Sequence, residues 1–563
     1  MALFILSPSP LPPTMKLLAV CALAALNSVF ALPKITRVGR YLFQPDGSRF
    51  YIKGISYQEQ GDLATTNDPN AFPEPENFVD PLAMPSACRR DIPYLQQLTV
   101  NAIRVYSVNA SLNHDECMSA LDAAGIYTII DLSLPVNGSL DRSAPAWTTN
   151  LLDLYIATID TFSKYDATYN VGNEVVTMPN NTVAAPFIKA AARDVKAYLR
   201  SKGSSALVGY ASTDGSTDWR DPLANYLACD SDTDSLDIYG LNNYRWCGAG
   251  SYESSYASVE ASFANYPVVA YFSEYGCVTQ PPRLWTEATA LFSSQMTPTW
   301  SGGLAFSYFP AVGGYGMVNI SSDGSSVTTS DDFTRLRNVL SNITFINQPT
   351  QSSASQSSYP SCPSADSNFL ASSTLPPTPN LSTCECVAKN SFSCVFSPTT
   401  SAGVSGVGQL LDYGCQLLGQ NNANCNAISG NGQTGVYGAL SACDPRTKLS
   451  YVFSQYYELT SRNAQSCNFS GNATLASPMP ANSAAAASAQ ASCISAAPSG
   501  VITPTAPASA SATATSGSGG SNGGSSGNGN GNGSNSNGVP RGAIIGVVSA
   551  IGAGFLSAVW MLF

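Results

Sequence analysis

Between residues 33 and 345, eight short runs of apolar, β-branched or aromatic residues recur: Phe50–Tyr57, Val100–Val108, Ile126–Leu132, Ala167–Val176, Ala206–Ala211, Leu236–Tyr244, Pro267–Tyr275 and Gly303–Pro310. Runs of this length and composition read as buried strands. Helical patterns lie between several of them, including Asp115–Ala124 and Ala184–Ser201, the second with Lys and Arg near its end. Buried strands alternating with helices over this length predict a (β/α)8 barrel. An open doubly wound sheet is the competing topology, but no Gly-x-Gly-x-x-Gly turn follows the first run.

Outside the barrel the composition changes. Residues 346–383 read as a linker, Ser-rich over 350–361. Cys384, Cys386, Cys394, Cys415, Cys425, Cys443, Cys467 and Cys493 then fall within 384–493, which marks a small disulfide-stapled domain. The close pair Cys384 and Cys386 raises a metal site as an alternative, but no His lies near, so disulfides are preferred and no metal is assigned. Residues 494–538 are Ala/Ser/Thr/Pro-rich, then Gly/Ser/Asn-rich, and read as a flexible, O-glycosylated stalk.

The two ends carry targeting signals. Met15 and Lys16 precede an apolar run from Leu17 to Ala31, so residues 1–31 read as a secretory signal peptide with an upstream extension before Met15. The run is short for a membrane span. Ala543–Phe563 is a chargeless apolar tail behind the stalk, and 539–563 match a glycosylphosphatidylinositol attachment signal, with the lipid placed around Gly533 to Gly538. A transmembrane helix is the alternative, but no basic residue follows the tail. The chain is therefore expected at the outer face of the plasma membrane or in the cell wall. Asn-x-Ser/Thr acceptors stand at Asn109, Asn137, Asn180, Asn319, Asn342, Asn380, Asn468 and Asn472.

Charge and histidine content narrow the chemistry. With 26 basic against 37 acidic residues the net charge is −11, which argues against nucleic acid as a partner. One histidine, His114, excludes poly-His zinc centres. Of the 15 cysteines, Cys21 leaves with the signal, and the remaining even number fits a complete disulfide set in an oxidising compartment.

A barrel places its active site at the C-terminal ends of its strands. Those ends hold Tyr106 on the second strand, Asn173-Glu174 on the fourth, Tyr244 on the sixth, Glu274 on the seventh and Tyr308 on the eighth. Two glutamates at one barrel mouth are what glycoside chemistry needs: an acid with a raised pKa and an ionised partner. Asn173 is placed to bond the sugar 2-hydroxyl.

These residues resemble a known family. Phe50-Tyr-Ile-Lys-Gly-Ile55, Asp80-Pro-Leu82, Cys88-Arg-Arg-Asp-Ile-Pro-Tyr94, Asn101-Ala-Ile-Arg-Val-Tyr106 and His114-Asp-Glu-Cys117 are similar to segments of the fungal β-1,3-glucanosyltransferases, glycoside hydrolase family 72. So are Gly125-Ile-Tyr127, Val171-Gly-Asn-Glu-Val175, Asn242-Asn-Tyr-Arg-Trp-Cys247 and Phe272-Ser-Glu-Tyr-Gly-Cys277. The cysteine-rich unit resembles the family 43 carbohydrate-binding module through Gly435-Val-Tyr-Gly438, Leu449-Ser-Tyr451, Tyr456-Tyr457 and Cys467-Asn-Phe-Ser-Gly471. The resemblance implies a retaining, cofactor-free transfer between β-1,3-glucan chains by a monomer, with Glu174 as acid/base and Glu274 as nucleophile. Tyr106, Asn173, Tyr244 and Tyr308 would contact sugar, and Tyr244 would bond Glu274. The pairings it implies are Cys88–Cys117, Cys229–Cys362, Cys247–Cys277, Cys384–Cys443, Cys386–Cys493, Cys394–Cys467 and Cys415–Cys425. His114 would start the helix bearing Cys117.

The chain departs from the family pattern at Ser56, where Asp is common, at Arg245, where Glu is common, and in Pro310–Tyr315, where an acidic loop is usual. Two other outcomes remain open at this stage: an endo-β-1,3-glucanase that releases sugar to water, and a non-catalytic glucan-binding wall protein.

Overall fold

A computed structural model describes residues 32–61, 77–135, 139–165, 167–398, 406–497 and 500–506. The signal peptide, most of the stalk, the lipid-attachment signal and Asn137 lie outside the described residues. Among the described residues no helix is long and apolar enough to cross a membrane.

Eight parallel strands close into one barrel. They are β1 (Ile52–Ser56), β2 (Ala102–Val105), β3 (Tyr127–Asp131), β4 (Ala167–Asn173), β5 (Val208–Thr213), β6 (Ile238–Asn243), β7 (Val269–Tyr275) and β8 (Trp300–Ala305). All eight expected strands are present. The last begins at Trp300 and not Gly303, and it ends before Tyr308. The helices on the outside include α1 (Pro85–Gln97), α2 (Asp115–Ala123), α3 (Thr149–Phe162) and α4 (Ala185–Ser201). His114 does cap the start of α2; its ring accepts or donates at Asp80, 2.8 Å away, inside the core.

Two strands are irregular where the site will be. The β4–β5 register slips between Asn170 and Asn173, and the β6–β7 register slips between Tyr271 and Glu274. Bulges of this kind re-aim the side chains that follow them.

The linker is more than a spacer. Phe369 is fully buried and its ring lies 5.5 Å from Tyr226, whose hydroxyl donates to the Ser372 carbonyl at 2.6 Å. Arg193 donates to the Pro376 carbonyl at 3.1 Å, and Thr378 donates to Asp194 at 2.8 Å. Cys229–Cys362 ties the same strap to the barrel. Low charge and abundant Ser/Pro conceal these anchors in the sequence, because each partner sits on a distant helix.

The strap leads to the module, in which α5 (Leu381–Ser391), α6 (Val407–Gln420), α7 (Pro445–Leu459) and α8 (Ser483–Ser495) pack around a small core. Its bridges are Cys384–Cys443, Cys386–Cys493, Cys394–Cys467 and Cys415–Cys425. Cys88–Cys117 and Cys247–Cys277 complete the set in the barrel. The module seats against α3 and α4: the Thr149 N–H donates to the Ala442 carbonyl at 2.9 Å, and Tyr437 meets Phe187 edge-on at 5.7 Å. Truncating the strap anchor in F369A leaves a cavity and should cost about 3 kcal/mol in urea unfolding. The variant should also be cut by protease within 363–380 under conditions that leave the native chain whole.

Candidate active site

Arg104 organises the barrel mouth. It sits mid-strand on β2, fully buried. Its guanidinium donates to Asp131 on β3 at 2.6 and 3.2 Å, to Asn173 on β4 at 2.9 Å, and to Glu274 on β7 at 3.2 Å. Asp131 supplies the countercharge and also accepts from Asn170 at 2.8 Å. A buried guanidinium without such partners would cost several kcal/mol, so these donors and acceptors fix one another.

Glu274 accepts from three side chains. Tyr106 and Arg104 donate to Oε1 at 2.8 and 3.2 Å, and Tyr244 donates to Oε2 at 2.7 Å. Burial pushes its carboxyl up to about 7, against the Arg104 guanidinium; the Glu174 charge adds to the rise, and the two tyrosine hydroxyls oppose it. Burial likewise pushes the Tyr106 and Tyr244 phenols upward, so both stay protonated donors.

Glu174 is half-exposed and stands just past β4 with φ +48°, a left-handed conformation that a non-glycine residue adopts at a cost. Both of its backbone groups are held: its N–H donates to the Ala211 carbonyl at 2.9 Å, and its carbonyl accepts from Arg142 at 3.0 Å. Its carboxylate Oε1 accepts from Asn242 at 3.0 Å. Asn242 also donates to Asn173 at 3.1 Å, so Asn173 Oδ1 is taken by Asn242 and Arg104 together.

Glu174, Glu274, Asn173 and Tyr106 line one cavity of about 290 Å³ with Ser56, Asp131, Arg142 and Phe306. Tyr244 reaches Glu274 from β6. Tyr308 does not join them, which corrects the expectation for that residue. It is buried behind β1, its hydroxyl 3.1 Å from Asp91 and its ring packed on Tyr57 and Phe309. Because β8 starts three residues earlier than expected, the aromatic at its mouth is Phe306, half-exposed and edge-on to Tyr106 and Tyr244 at 6.3 Å each. Arg104, Asp131 and Asn242 were also missed. An arginine inside the apolar run Ala102–Val105 is the signal by which the first of them could have been found.

Arg245, one of the departures, turns to Asp214, which it meets at 2.5 and 2.9 Å. The Pro310–Tyr315 loop folds back at Ala311 and Tyr315, and Val312 N–H donates to Gln60 at 2.9 Å. Cys229, Asp230 and Cys362 lie together, but Cys229 and Cys362 are a disulfide and hold no metal.

The glucanosyltransferase model of glycoside hydrolase family 72 matches residues 24–344, more than half of the chain. The protein belongs to that family. Behind this glucanosyltransferase barrel an X8 domain matches residues 392–474. Among similar proteins, the 1,3-beta-glucanosyltransferase gas1 of Schizosaccharomyces pombe is 41% identical over 466 residues, covering 82% of each chain. The 1,3-beta-glucanosyltransferase GAS2 of Saccharomyces cerevisiae is 36% identical and covers 77% of this chain and 78% of its own. A solved structure of Saccharomyces cerevisiae Gas2p in complex with laminaripentaose superposes with a TM-score of 0.70 at 34% identity, over 79% of this chain and 97% of that one.

The raised Glu274 value has a consequence for this family member's stability. Its folded value lies above the ordinary 4.5, so its contribution to stability is complete below that pH and is lost as pH rises through about 7. Glutamine cannot ionise. In urea unfolding at pH 4, 6 and 8, E274Q should therefore gain on the native protein by up to about 3 kcal/mol across the window. A pH-independent difference would contradict the assignment of the shift to Glu274.

Proposed function

We propose that the protein is a cell-wall β-1,3-glucanosyltransferase that elongates glucan by a retaining double displacement. The observation that carries this reading is the unequal loading of the two glutamates. Glu274 accepts from three donors, one of which, Arg104, has no proton-accepting form. Among the described residues the Glu174 carboxylate accepts from Asn242 alone, at Oε1, and Oε2 is left facing the cavity. Hydrogen bonds to the charged form favour it, so these three donors oppose the burial that raises Glu274 and suit it to act as the ionised nucleophile.

In this reading Glu274 attacks the anomeric carbon of an internal β-1,3 linkage while Glu174 gives its proton to the leaving oxygen. The reducing-end fragment departs and a glycosyl ester on Glu274 remains. Glu174, now a base, takes the proton from the 3-hydroxyl of a second glucan, whose oxygen displaces Glu274 and forms a longer β-1,3 chain. Asn173 offers its amide donor to the 2-hydroxyl, and Tyr106, Tyr244 and Phe306 frame the sugar. No cofactor enters any step.

The module binds glucan near the barrel, and the mature chain is a secreted monomer held to the outer face of the plasma membrane by a glycosylphosphatidylinositol lipid. Asn180, Asn319, Asn342 and Asn468 are exposed and suit glycan attachment. Asn109, Asn380 and Asn472 are half-buried with side chains engaged in local hydrogen bonds, and are the weaker acceptors.

Water competes with the acceptor for the same ester, so the product decides between transfer and hydrolysis. Incubation with a reduced β-1,3-gluco-oligosaccharide should give products longer than the substrate. Products that are only shorter would make the protein an endo-β-1,3-glucanase. E174Q should abolish product formation while retaining glucan binding, and undiminished turnover would overturn the role given to Glu174.

A further inference from the structure

Ser56 is fully buried at the end of β1, opposite Arg104 in the β1–β2 register. Its carbonyl accepts from the Tyr308 N–H at 2.9 Å, which holds the backbone. Its hydroxyl lies 2.9 Å from the Tyr106 hydroxyl, which in turn lies 2.8 Å from Glu274 Oε1. Tyr106 has one proton to give. When Glu274 is a carboxylate it has none, so Tyr106 donates to Glu274 and can only accept from Ser56.

We propose that Ser56 is a positioning residue for Glu274: by donating to the Tyr106 hydroxyl it commits the Tyr106 proton to the nucleophile and favours the ionised carboxylate. The proposal rests on Glu274 being the nucleophile. When Glu274 is protonated the chain of hydroxyls can reverse, with Glu274 donating to Tyr106 and Tyr106 to Ser56. The relay therefore reports the charge of Glu274, and its loss weakens one form more than the other. Hydrogen-bonded chains polarise their members, so a donor one step removed still acts on the carboxylate.

Other groups around Glu274 set the background on which this acts. Arg104 comes from β2 under the Tyr106 ring, 4.2 Å from its centroid. Asp131 comes from β3, Glu174 from the end of β4, Tyr244 from β6 and Tyr271 from β7 itself. Tyr315 approaches from the loop after β8, its ring 5.7 Å from Tyr244. Arg104 pairs with Ser56 through the strand backbone, whereas the Ser56 hydroxyl bonds Tyr106, so removing that hydroxyl reaches the carboxylate through Tyr106.

The test is the pH profile of kcat/KM for S56A, S56T, Y106F and the double variant S56A/Y106F, with a reduced β-1,3-gluco-oligosaccharide as substrate. The acidic limb reports ionisation of the nucleophile in the free enzyme. Losing a donor that favours the carboxylate raises that limb, and S56A should move it up by about half a pH unit. S56T, which keeps the hydroxyl, should restore the native limb. In the Y106F background S56A should add nothing. A limb that does not move in S56A, or one that moves equally with Tyr106 present or absent, would overturn the proposal. So would a loss of turnover that is uniform in pH and not rescued by threonine. Native turnover in E274Q would instead overturn the assignment of the nucleophile, a separate failure.

Discussion

A single buried guanidinium sets the geometry of this barrel mouth. Arg104 touches residues from three neighbouring or facing strands, and its ion pair with Asp131 is almost wholly out of water. Such a pair adds little net stability, because desolvation offsets attraction. Its contribution is to geometry: removing either partner strands a charge, so neither moves. Asn173 and Glu274, which share the guanidinium, are held at fixed positions on opposite walls of the cavity. A retaining mechanism needs this constraint, since both carboxyls act on one glycosidic bond and small displacements are costly.

The strands then aim what the guanidinium holds. β4 and β7 both slip register just before their glutamates. Glu174 reaches the cavity only by taking a left-handed backbone, which Ala211 and Arg142 secure at both ends of the residue. Strain of this kind persists where the surroundings over-determine it. Glu274 lies within β7 itself, directly after that slip, and burial is what raises its carboxyl. Two carboxylates of the same chemistry thus differ in solvent access and in donors, the kind of difference by which one environment sets an acid apart from an ionised partner.

Much of this was legible before the structure. Strand runs, the two glutamates at strand ends, Tyr106, Asn173 and Tyr244 follow from apolar periodicity and barrel geometry, and the resemblance supplied every disulfide. What escaped has a common cause. Tyr308 was placed at the mouth because Gly302 and Gly303 hide the start of β8, and an error in a strand's start moves its end as well. Phe306 takes that place. Asp131 and Asn242 read locally as ordinary strand ends, and their meaning appears only when Arg104, Asn173 and Glu174 are brought alongside. The linker looked loose for the same reason: Phe369 and Thr378 are anchored by Tyr226 and Asp194, both far away in sequence.

The lone histidine completes the argument about proton traffic. His114 is spent on Asp80 beneath α2, away from the cavity. Among the described residues lining the mouth, the phenols are pushed upward by burial and stay protonated, while the guanidinium does not lose its proton. Asp131 is tied to Arg104. Apart from Glu59 at the rim, the groups left to exchange a proton with a neutral sugar are Glu174 and Glu274. The pair is coupled through charge, since Glu174 raises Glu274, and through the Arg104–Asn173–Asn242 bridge that touches both. The two carboxyls therefore cannot be tuned independently. Any donor added to or removed from Glu274 changes how strongly that carboxyl is raised, on a background to which the Glu174 charge contributes.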